Sequence, residues 1–316
     1  MCLEQASKVV NLPVIQVSNL SYYYGQTKAV DNLTFTVPGG SIFGFLGPNG
    51  AGKTTTTHLL LGLLKPASGR IIVSGFDTQT QADQVRACAG ALLEHTGLYE
   101  RLSAEENLEF YGRIYRMDAA RRRKRIKELL SQFDLWPRRK EIVRVWSRGM
   151  KQKLAIARAL LHQPRLVFLD EPTAGMDPLA AADFRRQLVT LSRRENITIF
   201  LTTHNLREAQ DICDLVGILR AGHLVAAGTP DDLLRQKTRQ IEIIGQNFNK
   251  KALTTLEEMP GILSVRARNN RLKITLNESG DIVSLVNQLA SNGVQIHELL
   301  NTENNLEKVF LQLMEE

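Results

Sequence analysis

The segment Gly47-Pro-Asn-Gly-Ala-Gly-Lys-Thr54 matches a phosphate-binding loop, GxxxxGK followed by Ser or Thr, at every fixed position. It lies between an apolar run ending at Leu46 and a helical pattern through HLLLGLL. Glycines let the backbone wrap its N–H groups around phosphates, and the N-terminus of the helix adds positive potential. Lys53 is expected to reach the β and γ phosphates, and Thr54 to bind magnesium. Because a chance glycine loop would lack this context, the segment predicts a nucleotide site.

Two carboxylates, Asp170 and Glu171, follow the apolar run at 166–169. Folds of alternating strands and helices bind ligands at the carboxyl ends of their strands. Asp170 could hold magnesium directly or through water, and Glu171 could orient or deprotonate an attacking water. A strand that ends in Asp-Glu is common by itself. In the same chain as the phosphate loop, the pair predicts hydrolysis of the nucleotide.

A third segment, Trp146-Ser-Arg-Gly-Met150, precedes a helical pattern, and its Ser147 lies 94 residues after Lys53. Backbone N–H groups, the hydroxyl of Ser147 and the helix dipole could form an anion site there, although a plain helix cap would look the same. The order of these three segments with Thr202-Thr-His204 resembles that of the ATP-binding cassette (ABC) family. The resemblance covers about residues 14–236.

This resemblance implies a role for each matching residue. Glu171 and His204 would be catalytic, His204 contacting the γ-phosphate and the attacking water. ATP would be the nucleotide, and Mg²⁺ would be bound by Thr54, Glu94 and Asp170. Nucleotide contacts would come from Tyr24, Gly47, Pro48, Asn49, Gly50, Ala51, Gly52, Lys53, Thr54 and Thr55.

Two of these assignments depart from the family pattern or leave an alternative open. Tyr24 would stack on adenine, but its neighbours Tyr22 and Tyr23 leave the register open, and a single tyrosine often serves core packing. Glu94 stands where the family usually has a glutamine that senses magnesium and links to the membrane partner. A carboxylate can still bind magnesium, so hydrolysis is expected, with altered coupling to the γ-phosphate.

The resemblance also implies a homodimer. Ser147, Arg148, Gly149 and Met150 resemble the family signature, usually LSGGQ, which closes over the phosphate loop of another subunit. Asp177, in Ala174-Gly-Met-Asp177, resembles the loop that crosses the dimer. Arg148 replaces a glycine and could add charge toward the partner's γ-phosphate. Exposure to solvent is the favoured interpretation, because surface charges are commonly solvated.

The elements around these motifs predict an α/β fold in two domains. Short apolar strands at 14–17, 33–37, 42–46, 71–73, 166–169 and 197–201 indicate a largely parallel sheet with antiparallel strands at its N-terminal edge. These belong to a P-loop ATPase domain at 1–236, with an inserted helical subdomain at about 95–162. A βαββαβ order predicts a small α+β, ferredoxin-like domain at 237–316.

Composition narrows the class of protein. The chain has 316 residues, a net charge of +7 and three scattered cysteines, which suggest neither a disulfide framework nor a zinc site. It has no apolar run of membrane-spanning length and no leader-like start, so we expect it to be neither secreted nor integral to a membrane. The resemblance to transporter subunits implies a peripheral position at the cytoplasmic face of the cell membrane. The run RRRKR at 121–125 is expected to form a solvated helix face; contact with anionic inner-leaflet lipid is the alternative.

Three functions are compatible with a phosphate loop. The favoured one is the ATPase subunit of an exporter with a separate transmembrane permease, since the C-terminal part resembles the extension of drug, ion and lipid exporter subunits. The alternative is a non-transport ABC ATPase acting on ribosomes or DNA. Only the basic net charge favours this alternative. Because one feature is weak support, we expect no nucleic acid as a partner. A kinase or small GTPase is disfavoured by the signature, the histidine and the lack of an NKxD-type segment.

Overall fold

The computed structural model describes residues 13–234, 238–277, 279–302 and 306–315. The chain divides into two compact units, one ending at Pro230 and the other beginning at Asp231. The domain boundary at 236/237 and the limits of the helical subdomain stay predictions.

The described part of the first unit contains ten strands and seven α-helices. The strands are β1 (Pro13–Tyr24), β2 (Thr27–Pro38), β3 (Ile42–Leu46), β4 (Ser68–Val73), β5 (Phe76–Asp77), β6 (Ala89–Leu92), β7 (Leu166–Asp170), β8 (Thr198–Thr203), β9 (Leu215–Arg220) and β10 (His223–Gly228). The helices are α1 (Lys53–Leu60), α2 (Ala82–Cys88), α3 (Ala104–Ile114), α4 (Ala119–Gln132), α5 (Arg148–Ala159), α6 (Pro178–Glu195) and α7 (Leu206–Ile212), with 3₁₀ turns at Trp136–Arg138 and Val143–Val145.

A six-stranded sheet in the order β10-β9-β3-β8-β7-β6 carries the site. Its strands pair in parallel except β10, which is antiparallel to β9. Every residue of β3, β7 and β8 is buried, as expected for parallel strands covered on both faces. The carboxyl ends of these three strands therefore meet at one edge.

The sequence suggested that the N-terminal antiparallel strands extend this sheet at one edge, but they do not. They form a separate sheet in the order β2-β1-β4-β5. Phe35 of β2 stacks on Phe43 and Phe45 of β3, with ring centroids 5.7 and 5.5 Å apart. Strands of the two sheets thus share a buried aromatic core instead of a hydrogen-bonded edge. The α/β class is confirmed, while the expected edge position of the antiparallel strands is wrong.

The basic run on α4 is only partly a solvated face. Arg122 pairs with Glu109 at 2.7 Å, and Arg125, which is 5% exposed, pairs with Glu195 at 2.8 Å. Each guanidinium makes two hydrogen bonds to its carboxylate, a geometry that suits arginine. The expectation of solvated charges is therefore wrong for these two arginines, because carboxylates from α3 and α6 lie against α4.

A short helix α8 (Pro230–Leu234) spans the division between the units. The second unit then contains β11 (Thr238–Gln246), α9 (Lys250–Glu257), β12 (Ile262–Arg268), β13 (Arg271–Asn277), α10 (Ile282–Ser291), β14 (Gln295–Thr302) and α11 (Leu306–Glu315). The strands form an antiparallel sheet in the order β12-β13-β11-β14. From β11 to β14, strands and helices follow each other in the βαββαβ order expected from the sequence. The core of this unit joins alternate residues of β11 and β13 to apolar residues of α9 and α10.

Within the described residues, no helix has the length and apolar character needed to cross a membrane.

Candidate active site

The phosphate loop connects β3 to α1 and depends on glycines at two strained positions. Gly50 and Gly52 have φ angles of 78° and 105°, which residues with a Cβ rarely adopt. A Cβ on Gly52 would also clash with the carbonyl oxygen of Ala29. Gly52 is the N-cap of α1, so the unpaired N–H groups of the first helical turn point toward the loop. This geometry suits an anion.

Lys53 lies inside this loop with only 7% of its surface exposed. Its Nζ donates to the carbonyl oxygens of Gly47 at 2.8 Å and Pro48 at 3.1 Å. Burial lowers the pKa of Lys53, and the nearby carboxylates of Glu171 and Asp170 act in the opposite direction. A phosphate oxygen would be a stronger, charged partner than either carbonyl.

Asp170, the last residue of β7, is buried between two threonines. Its Oδ2 accepts from Thr54 Oγ1 at 3.2 Å, and its Oδ1 accepts from the hydroxyl of Thr202 on β8. The described residues contain no cluster of three or more His, Cys, Asp or Glu side chains suited to a metal. A hydroxyl and one carboxylate are nevertheless what Mg²⁺ requires when it also binds substrate phosphates, because it keeps several waters and few protein ligands. The residues present therefore fit a nucleotide-bound magnesium ion.

Glu171 follows directly and has a left-handed backbone, with φ of 48°. Its amide N–H donates to the carbonyl oxygen of Thr202 at 3.0 Å. Its Oε1 lies 2.9 Å from Nδ1 of His204, at the carboxyl end of the neighbouring strand. A non-glycine residue held in this conformation costs about 1–3 kcal/mol and is typical of functional sites. The hydrogen bond joins the two side chains, and Glu171 lines the cleft beside the phosphate loop, whereas His204 and Pro48 are not among the residues that line it.

The phosphate loop and the two carboxylates line a cleft of about 590 Å³. Of the residues with an expected role, it contains Tyr24, Asn49, Gly50, Gly52, Lys53, Thr54, Thr55, Glu94, Arg148, Asp170 and Glu171. Ala51 is buried, and Gly47 lies against the backbone of Leu219. These two residues pack the loop against the protein interior and do not line the cleft. Thr27, Lys28 and Gln152 also line the cleft and were not expected.

Among the three neighbouring tyrosines, Tyr24 is 52% exposed and lines the cleft. Tyr22 packs against the core and meets Tyr24 edge-to-face at 5.0 Å. Tyr23 is exposed, with Lys28 Nζ 5.6 Å from its ring. The cleft position of Tyr24 is compatible with a base-stacking role, which stays a prediction.

The signature residues lie mainly around a second hollow, of about 460 Å³, which Asp177 also lines. Ser147 caps α5, its Oγ accepting from the N–H of Met150 at 3.3 Å, and Asp177 caps α6 in the same way. The hydroxyl of Ser147 thus makes the helix cap that was the plainer interpretation. Arg148 lines both hollows, and its exposed guanidinium lies against Gly175.

A buried glutamate that contacts residues next to Glu171 and His204 was not predicted from the sequence. Glu208, on α7, has no exposed surface and accepts hydrogen bonds from the hydroxyls of Thr173 at 2.8 Å and Thr203 at 2.7 Å. Burial raises the pKa of Glu208, while the two hydroxyls act to lower it. Only its position four residues after His204 could have indicated a role near the site. A charged residue on a short helix is normally exposed, so nothing in the sequence indicated that it is buried.

Comparisons with known proteins agree with this geometry. Residues 30–174 match the family model described as "ABC transporter". The bacitracin transport ATP-binding protein BcrA of Bacillus licheniformis is 35% identical over 95% of this chain and 97% of its own length. The daunorubicin resistance ATP-binding protein DrrA3 of Streptomyces coeruleorubidus is 35% identical over 95% of both chains.

Among solved structures, a dimeric ATP-binding cassette in a post-hydrolysis state, bound to ADP and phosphate, is similar at 25% identity and a TM-score of 0.61. The similarity covers 68% of this chain and 98% of the other. Together with the phosphate loop and the carboxylate pair, these similarities confirm the expected family and fold. The chain belongs to the ATP-binding, ATP-hydrolysing subunits of the ABC transporters.

Proposed function

We propose that ATP is hydrolysed in the cleft between the phosphate loop and the carboxyl ends of β7 and β8. The observation that carries this proposal is the 2.9 Å contact of His204 with Glu171, a carboxylate that shares the cleft with Lys53 and the phosphate loop. Lys53 and the loop N–H groups would bind the β and γ phosphates. Glu171 would take the proton of the attacking water, and His204 would hold that carboxylate in position and contact the γ-phosphate.

In this proposal Mg²⁺ is held by Thr54 and Asp170, with Glu94 nearby on the cleft wall. When bound, the ion would neutralise charge on the phosphate oxygens. The hydroxyl of Thr202 keeps Asp170 oriented by its hydrogen bond to Oδ1. Tyr24 would stack on the adenine.

The working form in this proposal is a homodimer. Ser147, Arg148, Gly149 and Met150 would close over the phosphates bound by the partner subunit, and Asp177 would lie at the crossing loop. The grouping of these residues around one hollow, mostly apart from the phosphate loop of the same chain, supports a shared site. The dimeric ADP- and phosphate-bound relative supports it as well.

We further propose that the subunit energises export through a separate transmembrane permease at the cytoplasmic face of the membrane. The support is the names of its relatives, a bacitracin transport protein and a daunorubicin resistance protein, and the extent of the similarity. It reaches 95% of the chain, so the C-terminal unit is shared with proteins of antibiotic transport and resistance.

Two measurements test this function. In an ATPase assay, Glu171→Gln should retain ATP binding and lose turnover, whereas Lys53→Ala should weaken ATP binding by about 10- to 100-fold through the loss of charged hydrogen bonds. Retained turnover in Glu171→Gln would remove Glu171 as the general base.

The second measurement is affinity purification of tagged Glu171→Gln protein with ATP from membranes in mild detergent, with Lys53→Ala as the matched control. Recovery of a multi-helix membrane protein is expected. Recovery of ribosomes or DNA without a membrane protein would overturn the export proposal and leave the ATPase chemistry in place.

A further inference from the structure

Glu208 connects the two loops that carry Glu171 and His204. Thr173, two residues after Glu171, donates its hydroxyl to Oε1 of Glu208 at 2.8 Å. Thr203, directly before His204, donates to Oε2 at 2.7 Å. One carboxylate thus holds both loops, each through a different oxygen.

The local backbone makes this link effective. Thr203 Oγ1 also accepts the N–H of Asn205 at 3.0 Å, and Asn205 caps α7 by accepting the N–H of Glu208 at 3.2 Å. The turn that holds His204 is therefore held by two hydrogen bonds between residues close in sequence. On the other loop, Thr173 lies next to the left-handed turn at Glu171.

A glutamate with no exposed surface is costly, because an ionised carboxylate loses its hydration. An apolar side chain would fill the same space without that cost, so packing alone does not account for a carboxylate. What a carboxylate adds is two hydrogen-bond acceptors at a fixed spacing.

We propose that Glu208 is a positioning residue that sets the distance between Glu171 and His204 by anchoring Thr173 and Thr203. This inference rests on the proposed function, in which Glu171 and His204 act on the attacking water. Displacement of a catalytic group by about 1 Å can cost about 100-fold in rate, so loss of either anchor should reduce kcat. ATP affinity should change little, because Lys53 and the phosphate loop bind the phosphates.

The test uses the full-length dimer with its permease. Thr173→Val and Thr203→Val remove a hydroxyl and keep the side-chain shape, while Thr173→Ser and Thr203→Ser keep the hydroxyl. The valine variants are expected to lower kcat by about 10- to 100-fold with the KM for ATP within about threefold. The serine variants should retain most of the turnover. Arg207→Gln, at an exposed position of the same helix, is the matched control and should leave kcat unchanged.

A second measurement separates positioning from general loss of structure. In a His204→Ala background, Thr173→Val and Thr203→Val should reduce kcat no further, because they act through the same pair. Equal losses in both backgrounds, or equal losses in the serine and valine variants, would overturn the inference. If Glu171→Gln loses turnover and the valine variants keep a normal kcat, the role of Glu208 is overturned and the proposed function stands. If Glu171→Gln retains turnover, the proposed function itself is overturned.

Discussion

The hydroxyl of Thr54 lies 3.2 Å from Oδ2 of Asp170, although 116 residues separate them in the chain. This contact brings the end of the phosphate loop to the end of β7. A hydroxyl and a carboxylate at this separation can both contact one small cation. The other oxygen of Asp170 is held by Thr202, so the carboxylate has little freedom to turn.

Removal of the Thr202 hydroxyl should weaken magnesium binding. Thr202→Val is expected to raise the Mg²⁺ concentration for half-maximal ATPase activity about tenfold, because groups that orient a metal ligand typically contribute 10- to 100-fold in affinity. Thr202→Ser, which keeps the hydroxyl, is the control. A Mg²⁺ titration of initial rates gives the answer, and chelation with EDTA should stop turnover in all three proteins. Identical titration curves would contradict this role of Thr202.

A methyl group on Gly149 should lower the turnover of the dimer without lowering the folding stability of the single subunit. Apart from the adjacent residues and the nearby backbone of its own helix, no heavy atom lies within 4 Å of a Cβ built at this glycine, and its φ is not in the left-handed region. Because alanine also favours helices more than glycine, by up to about 1 kcal/mol, Gly149→Ala should fold with an unchanged or higher Tm. Turnover should nevertheless fall if the partner's phosphates pack against this residue.

Thermal unfolding and an ATPase assay measure the two effects on Gly149→Ala separately. Normal activity in this variant would argue against close contact of the signature with a second subunit. A lowered Tm would contradict the open space seen around the glycine.

Loss of the Arg125 guanidinium should destabilise the first unit. Arg125→Ala leaves the half-buried carboxylate of Glu195 without its bidentate partner, at a cost of about 3 kcal/mol in the free energy of unfolding. Arg123→Ala, at an exposed position of the same helix, should change it by less than about 0.5 kcal/mol. Urea unfolding of the two variants measures the difference, and equal midpoints would show that the pair contributes nothing.

The buried carboxyl of Glu208 should make stability fall with rising pH. Burial raises its pKa above the ordinary value of 4.5, with Arg185 acting to lower it and Glu171 to raise it. Between pH 4.5 and the raised pKa, the folded state holds the proton more tightly than the unfolded state. The stabilisation is therefore complete below pH 4.5 and is lost as pH rises through the folded pKa.

Glu208→Gln cannot ionise and should lack this dependence. The Tm of the native chain relative to Glu208→Gln should accordingly be higher at pH 5 than at pH 8, as measured by thermal unfolding at both values. A constant difference would mean that the pKa of Glu208 is not raised.

Local chemistry was readable from the sequence. The glycines of the phosphate loop permit positive φ angles that other residues rarely adopt, and an apolar strand that ends at Asp170 and is followed by Glu171 presents both carboxylates at the edge of a parallel sheet. The order of strands and helices in the second unit also followed from periodicity alone, since each element carries its own pattern.

Only tertiary packing decided which distant residues meet. The strand β6 consists of Ala, Gly, Ala and Leu, which have little intrinsic preference for a strand, and it extends because it pairs with β7. Arg125 is buried because Glu195 from α6 lies against it, and Glu208 is buried because two separate loops close over it. A sequence pattern reports the period of one element and the conformation of one turn, whereas burial and pairing of a charge depend on what a remote segment places beside it.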